Sequence, residues 1–151
     1  MRTYLVVVDD SPEAALALRF AGRRAAGTGG GVHLVAVIEP QDFVAWGGVQ
    51  ATIAEEARQK AEAFANDASD RLASQFGITP RVTLREGEAA QVVRDILVEE
   101  QDIAALVLGT AASGAPGPLV AEFTGYDCGT LSVPVMLIPG SLTGEEVDRL
   151  T

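Results

Sequence analysis

The sequence predicts an α/β protein: an open, doubly wound, parallel five-stranded sheet with strand order 3-2-1-4-5 and helices on both faces. Three observations predict it. Short apolar runs rich in β-branched residues recur at 4–8, 32–38, 81–84, 104–108 and 133–138. Segments with helical spacing separate them. Most of the runs do not alternate in polarity, which marks strands covered on both faces.

Each element has its own signal. After the run at 4–8, Ser11 supplies a capping hydroxyl and Pro12 a first-turn proline, and Ala14, Leu18, Ala21 and Ala25 continue one helical face up to the glycines of 27–31. The run at 32–38 carries the sole histidine, His33. A second helix is predicted over 52–76, with Ala57, Ala61, Phe64, Ala68 and Leu72 on one face and Gly77 as its stop. The run at 81–84 is the most alternating and is placed at a sheet edge. A third helix over 89–100 turns Val92, Val93, Ile96 and Leu97 inward. The fourth, over 119–131, is the weakest, because Gly125 and Gly129 lie within it. Residues 1–139 form one domain, and 140–151 read as a polar tail with a short helix over 144–150.

Composition sets the chain's partners. A formal net charge of −10, from 11 Lys+Arg against 21 Asp+Glu, with the cations scattered, disfavours nucleic acid and anionic membrane surfaces. No run approaches the ~20 apolar residues of a membrane span, and no signal-peptide core follows Met1. The single cysteine, Cys128, allows no intrachain disulfide and suits a reducing compartment, so a cytoplasmic location is expected.

Ligands of such sheets bind outside the strand carboxyl ends where the order reverses, here at the loops after the first and fourth strands. The candidate ligand-binding residues are Asp9 and Asp10, the backbone of Val35, Ala36 and Val37, and Gly109, Thr110, Ser113, Gly114 and Gly117. Glycines permit close backbone approach, and the start of the next helix favours a small anion. Two plainer readings stand beside these: Asp9 or Asp10 helps Ser11 cap the first helix, and 109–118 is only a structured turn. No lysine or arginine lies in that loop, which rules out a Walker-type site. Adjacent Asp9 and Asp10 without a third carboxylate predict no metal site. His33 among apolar neighbours reads as structural, and Cys128 as a packing thiol on the fourth helix. The segment 43–49 around Trp46 reads as a lid or interface, or as local core. The carboxylates of the second helix read as a solvated face, and no catalytic residue emerges.

In order along the chain, these residues resemble the universal stress protein family. The opening Val6-Val7-Val8-Asp9-Asp10-Ser11 is similar to the family's apolar run, Asp, any residue, Ser. Gly87-Glu88-Ala89, an amphipathic helix and an acidic step into a strand ending in Gly109 follow in the family's order, and Val133-Pro134-Val135 resembles its terminal strand. The resemblance implies that Asp9 lies beside an adenine. ATP-binding members carry Gly-x-x-Gly, a fixed spacer and Gly-Ser or Gly-Thr; here Ala112 and Glu122 stand where glycines belong. The expected function is a non-enzymatic stress-response or regulatory protein acting through dimerisation and binding of a partner or small ligand. The alternative is an adenine-nucleotide module at the strand 1/strand 4 switch point. No cofactor is expected, ATP being disfavoured by the degenerate motif. The resemblance also implies a homodimer joined through the final edge strand, with Val133, Val135, Met136, Leu137 and Ile138 as interface residues.

Overall fold

Leu5 and Val6, on opposite faces of strand β1 (Thr3–Val7), are both 0% exposed, so the strand is covered on either side. The computed structural model describes residues 1–40 and 48–151, the side chains of 48–51 excepted. Trp46 lies outside the described residues. Helix α1 (Pro12–Thr28) leads to β2 (Gly31–Ile38), α2 (Gly48–Phe76) to β3 (Arg81–Glu86), and α3 (Ala89–Glu99) to β4 (Ile103–Thr110). Helix α4 (Pro118–Phe123), a short 3₁₀ turn (Cys128–Thr130), β5 (Val135–Pro139) and α5 (Gly144–Leu150) complete the chain.

The five strands form one sheet in the order β3-β2-β1-β4-β5, and every pairing is parallel. Alternate residues feed two cores. Tyr4, Val6, Leu34, Ala36 and Val107 face α1, α2 and α5, whereas Leu5, Val35, Leu106 and Leu108 face α3 and α4. The non-alternating runs have this physical cause, since both strand faces are dry. The run at 81–84 does lie at an edge, and β3 continues to Glu86.

Three details depart from the sequence reading. The fourth helix stops at Phe123 instead of reaching residue 131. Val120 and Phe123 bury its inner face, but the next large side chain, Tyr126, is fully exposed, so nothing offsets the cost of two glycines in a helix. Cys128 consequently sits exposed on the 3₁₀ turn, not packed in a helix. Val133 precedes β5, which starts only after Pro134.

Residues 140–151 fold back onto α1. Thr143 and Glu146 form a reciprocal capping box at the start of α5, Val147 is buried, and Asp148 accepts from Arg19 Nε of α1 at 2.7 Å.

His33 is the one buried histidine, 3% exposed on β2. Its Nε2 lies 2.7 Å from Thr83 Oγ1 on β3, and its Nδ1 has no partner among the described residues. Burial, and after it the Arg81 charge, holds the imidazole below its ordinary pKa, with Arg85 acting in the same sense and Glu100 and Asp102 opposing. The folded protein therefore resists protonation that the unfolded chain accepts below about pH 6.5. Stability is expected to fall as pH drops through that value, with a limiting slope of ~1.4 kcal/mol per pH unit. Urea titrations between about pH 7.5 and 5.5 check this, and His33→Leu should flatten the dependence in that window.

Candidate functional site

The sheet order reverses at β1: the chain leaves β1 toward one face as α1 and leaves β4 toward the other as α4. A crevice opens between these exits. The half beside β4, about 250 Å³, is floored by Val7 and Leu108 and edged by Asp9, Gly109, Gly117 and Leu119. The half beside β2, about 380 Å³, is formed by Val37 and Ile38 with Ala61 and Phe64 of α2. Val7, Asp9, Pro118 and Leu119 border both halves, so they make one groove with Asp9 near its middle.

Asp9 is held in place by local geometry. Its Oδ1 accepts from Ser11 N at 2.8 Å and from Ser11 Oγ at 2.6 Å, while Ser11 Oγ accepts from Ala14 N at 3.2 Å. The carboxylate thus orients the helix-capping hydroxyl, as the plainer reading proposed, and still borders the groove. Asp10 lies on the rim of the β2 half.

Gly109 has a packing reason. A Cβ there would fall on the Glu13 carbonyl oxygen and carbon, because the first turn of α1 passes against the end of β4. In the following loop, Gly114 and Gly117 adopt φ of 75° and 117°, conformations that side chains disfavour.

The other candidates separate. Val35 and Ala36 are buried within the two cores, and of the three β2 residues only Val37 borders the groove. Thr110 ends β4, where its carbonyl accepts from Gly140 N at 2.7 Å. Ser113 and Gly114 are exposed on the loop and border neither half of the groove.

Part of the loop's backbone cannot donate to an anion. Pro116 and Pro118 have no N–H, and Ala111 N is used by the Pro116 carbonyl at 3.2 Å. Glu122 does not aim its charge into this loop; its carboxylate meets Arg94 of α3 at 2.7 Å, and the same guanidinium lies 5.1 Å from the Phe123 ring centre.

Sequence reasoning missed Lys60. It is the only lysine of the chain, and α2 carries it to the β2 half of the groove. Its spacing to Phe64, one turn on and bordering the same half, was the available signal. Among the described residues no cluster of three or more His, Cys, Asp or Glu side chains could hold a metal ion, and no helix is long and apolar enough to cross a membrane.

A doubly wound parallel sheet with a groove at its reversal point, bordered by an Asp-x-Ser cap and a glycine loop, defines the class of small α/β domains that hold a ligand at the strand ends. The chain belongs to the universal stress protein family, whose model matches residues 1–139. Its fold is similar to that of the universal stress protein UspA from Lactobacillus plantarum, with a TM-score of 0.73 and 19% identity over 91% of this chain and 97% of that one. It is similar also to the Archaeoglobus fulgidus universal stress protein in complex with dAMP (TM-score 0.65, 20% identity, 91% and 98% covered). A universal stress protein family protein from Arabidopsis thaliana with AMP bound matches at a TM-score of 0.55 and 14% identity, with 92% and 91% covered. No curated protein matches the chain.

The close approach at Gly109 is testable by Gly109→Ala. Displacing the first turn of α1 from β4 is expected to cost about 2 kcal/mol, read as a lower urea midpoint at unchanged slope. An unaltered midpoint would mean that the two elements are not in contact there.

Proposed function

We propose that this chain is a non-enzymatic, homodimeric stress-response protein whose groove takes an adenine mononucleotide and binds ATP weakly or not at all. One observation carries the reading: the groove is continuous and apolar-floored with Asp9 at its centre, while the loop after β4 that would meet further phosphates carries no lysine or arginine. The relatives of similar fold with AMP or dAMP bound support the choice of a monophosphate. The carboxylate at the groove's centre, Asp9, already has its Oδ1 engaged by Ser11 at the start of α1, which supports binding without turnover. An exposed, unpaired Cys128 suits a reducing cytoplasm.

The dimer reading rests on a contrast between the sheet edges. On β3, Arg81 binds Glu100 and Asp102, and Arg85 binds Glu99, so charged pairs guard that edge. On β5, Val135, Met136 and Leu137 present no charge, and Leu137 is 42% exposed. Ile138 is already buried in its own subunit, which leaves Val135 and Leu137 as the apolar contribution to a partner. Because Leu106 N donates to the Pro134 carbonyl, the parallel ladder turns Met136 N–H toward β4 and Leu137 N–H toward the open edge.

Calorimetry should show AMP binding, with ATP and Mg²⁺ weaker than about 10 µM, or about −7 kcal/mol. ATP bound at that affinity or tighter would overturn the ligand reading. In sedimentation, the wild-type chain should be a dimer at micromolar concentration, and Leu137→Pro, which removes an outward donor and an exposed apolar side chain while keeping the ladder to β4, should give a folded monomer. A wild-type monomer would refute the dimer.

A further inference from the structure

His33 is buried on the face of β2 that looks toward α3, and the strand that closes it off is the least buried of the sheet. None of the six residues of β3 is buried, whereas every other strand buries at least one. Of its apolar side chains, Leu84 packs against a core and Val82 is 47% exposed. The anchors on either side are Ile78 and Val92, which pack into the cores. Residues 79–87 therefore form a short unit that can leave while both cores stay intact.

The charges acting on the imidazole come from both sides of this unit. β3 supplies Arg81 and Arg85, the end of α3 supplies Glu100 and the turn before β4 supplies Asp102. On β1, Leu5 stands opposite the ring and no residue carries a charge. Arg81 is paired with Glu100 and Asp102, and Arg85 with Glu99. With β3 in place, a proton on His33 would set a third cation beside two guanidiniums and leave Nδ1 a buried, charged donor without an acceptor among the described residues. With β3 released, both guanidiniums depart and water reaches the ring. Glu100 and Asp102 then lose Arg81 and remain near the imidazolium.

We infer that β3 is an acid-released latch: a proton taken up by His33 replaces Arg81 with imidazolium as the partner of Glu100 and Asp102, and frees residues 79–87 from β2. This is an opening of one strand, separate from the unfolding of the whole chain. It uncovers the backbone edge of β2 that the charged pairs of β3 had guarded. It also breaks the hydrogen bond from Gly87 N to the Ile38 carbonyl, at the end of β2 that borders the groove.

The test is amide hydrogen exchange of the full chain between about pH 7.5 and 5.5, corrected for the intrinsic effect of pH on exchange. His33 is the chain's only histidine, the one side-chain type whose ordinary pKa falls in that window. Protected amides of β3 should exchange through an opening that becomes about tenfold more populated at the lower pH. That opening should depend less on urea than exchange in β1 and β4, which awaits global unfolding. Local openings of β5 and α5 leave His33 covered and should not respond to pH. His33→Leu and His33→Gln should each retain the β3 opening and lose its pH dependence. Equal opening free energy and equal urea dependence in β3 and β1 would overturn the inference, because the strand would then leave only with the whole fold. A separate β3 opening that is indifferent to pH, or whose pH dependence survives in both variants, would overturn it as well.

Discussion

Everything in this molecule hangs on the parallel pairing of β1 with β2 on one side and β4 on the other. A strand so placed has its backbone groups satisfied in both directions and must be covered on both faces. Leu5 and Val6 meet that demand from opposite sides of a single strand. The helices must then alternate faces to cover the sheet, and right-handed crossovers send successive connections out on opposite sides of β1. The groove is the space those departures leave. It is a consequence of how the core is built and needs no residue to hollow it out.

Residues at the groove consequently serve two purposes. Asp9 orients Ser11 at the start of α1 and stands at the groove's centre, because the N-terminus of α1 forms one of its walls. Gly109 is small because α1 must come close to β4, and it borders the groove at the same time. Such residues are hard to assign to structure or to function, since altering one disturbs both. Lys60 lies outside this coupling. It sits on the exposed side of a long helix whose packing depends on Ala61, Ala65, Ala68 and Leu72, so its chemistry can change without touching the core.

The two sheet edges follow the same logic of unpaired backbone. On β3, Arg81 lies within hydrogen-bond reach of Glu100 and Asp102, and Asp102 also accepts from Thr3 of β1. Arg81, and secondly Thr3, holds the Asp102 carboxyl below its ordinary range, so this network keeps its charge through mildly acidic conditions. These pairs are substantially exposed and add little to stability, yet a charged edge is a poor template for another strand. The β5 edge has no such guard, and the chain is left with one direction in which its sheet can be extended.

The sequence by itself determined the strand count, the parallel sheet, the cap of α1 and the loops that border the groove. Each of these depends on a short stretch of chain: an apolar run covered on both faces, a Ser-Pro helix start, a glycine after a strand. Only the tertiary structure decided which residues meet. The side chains of Val35 and Ala36 belong to the two cores, because β2 is buried on both faces, and Val37 and Ile38 are its residues that border the groove. Helix α4 was read too long because helical spacing does not reveal that residues 124–130, with Tyr126 fully exposed, bury no large side chain. Glu122 took Arg94 as its partner and Lys60 reached the groove through contacts between distant segments. Local patterns record what a residue needs from its immediate neighbours, whereas the distribution of charge around a groove depends on where helices far apart in sequence finally pack.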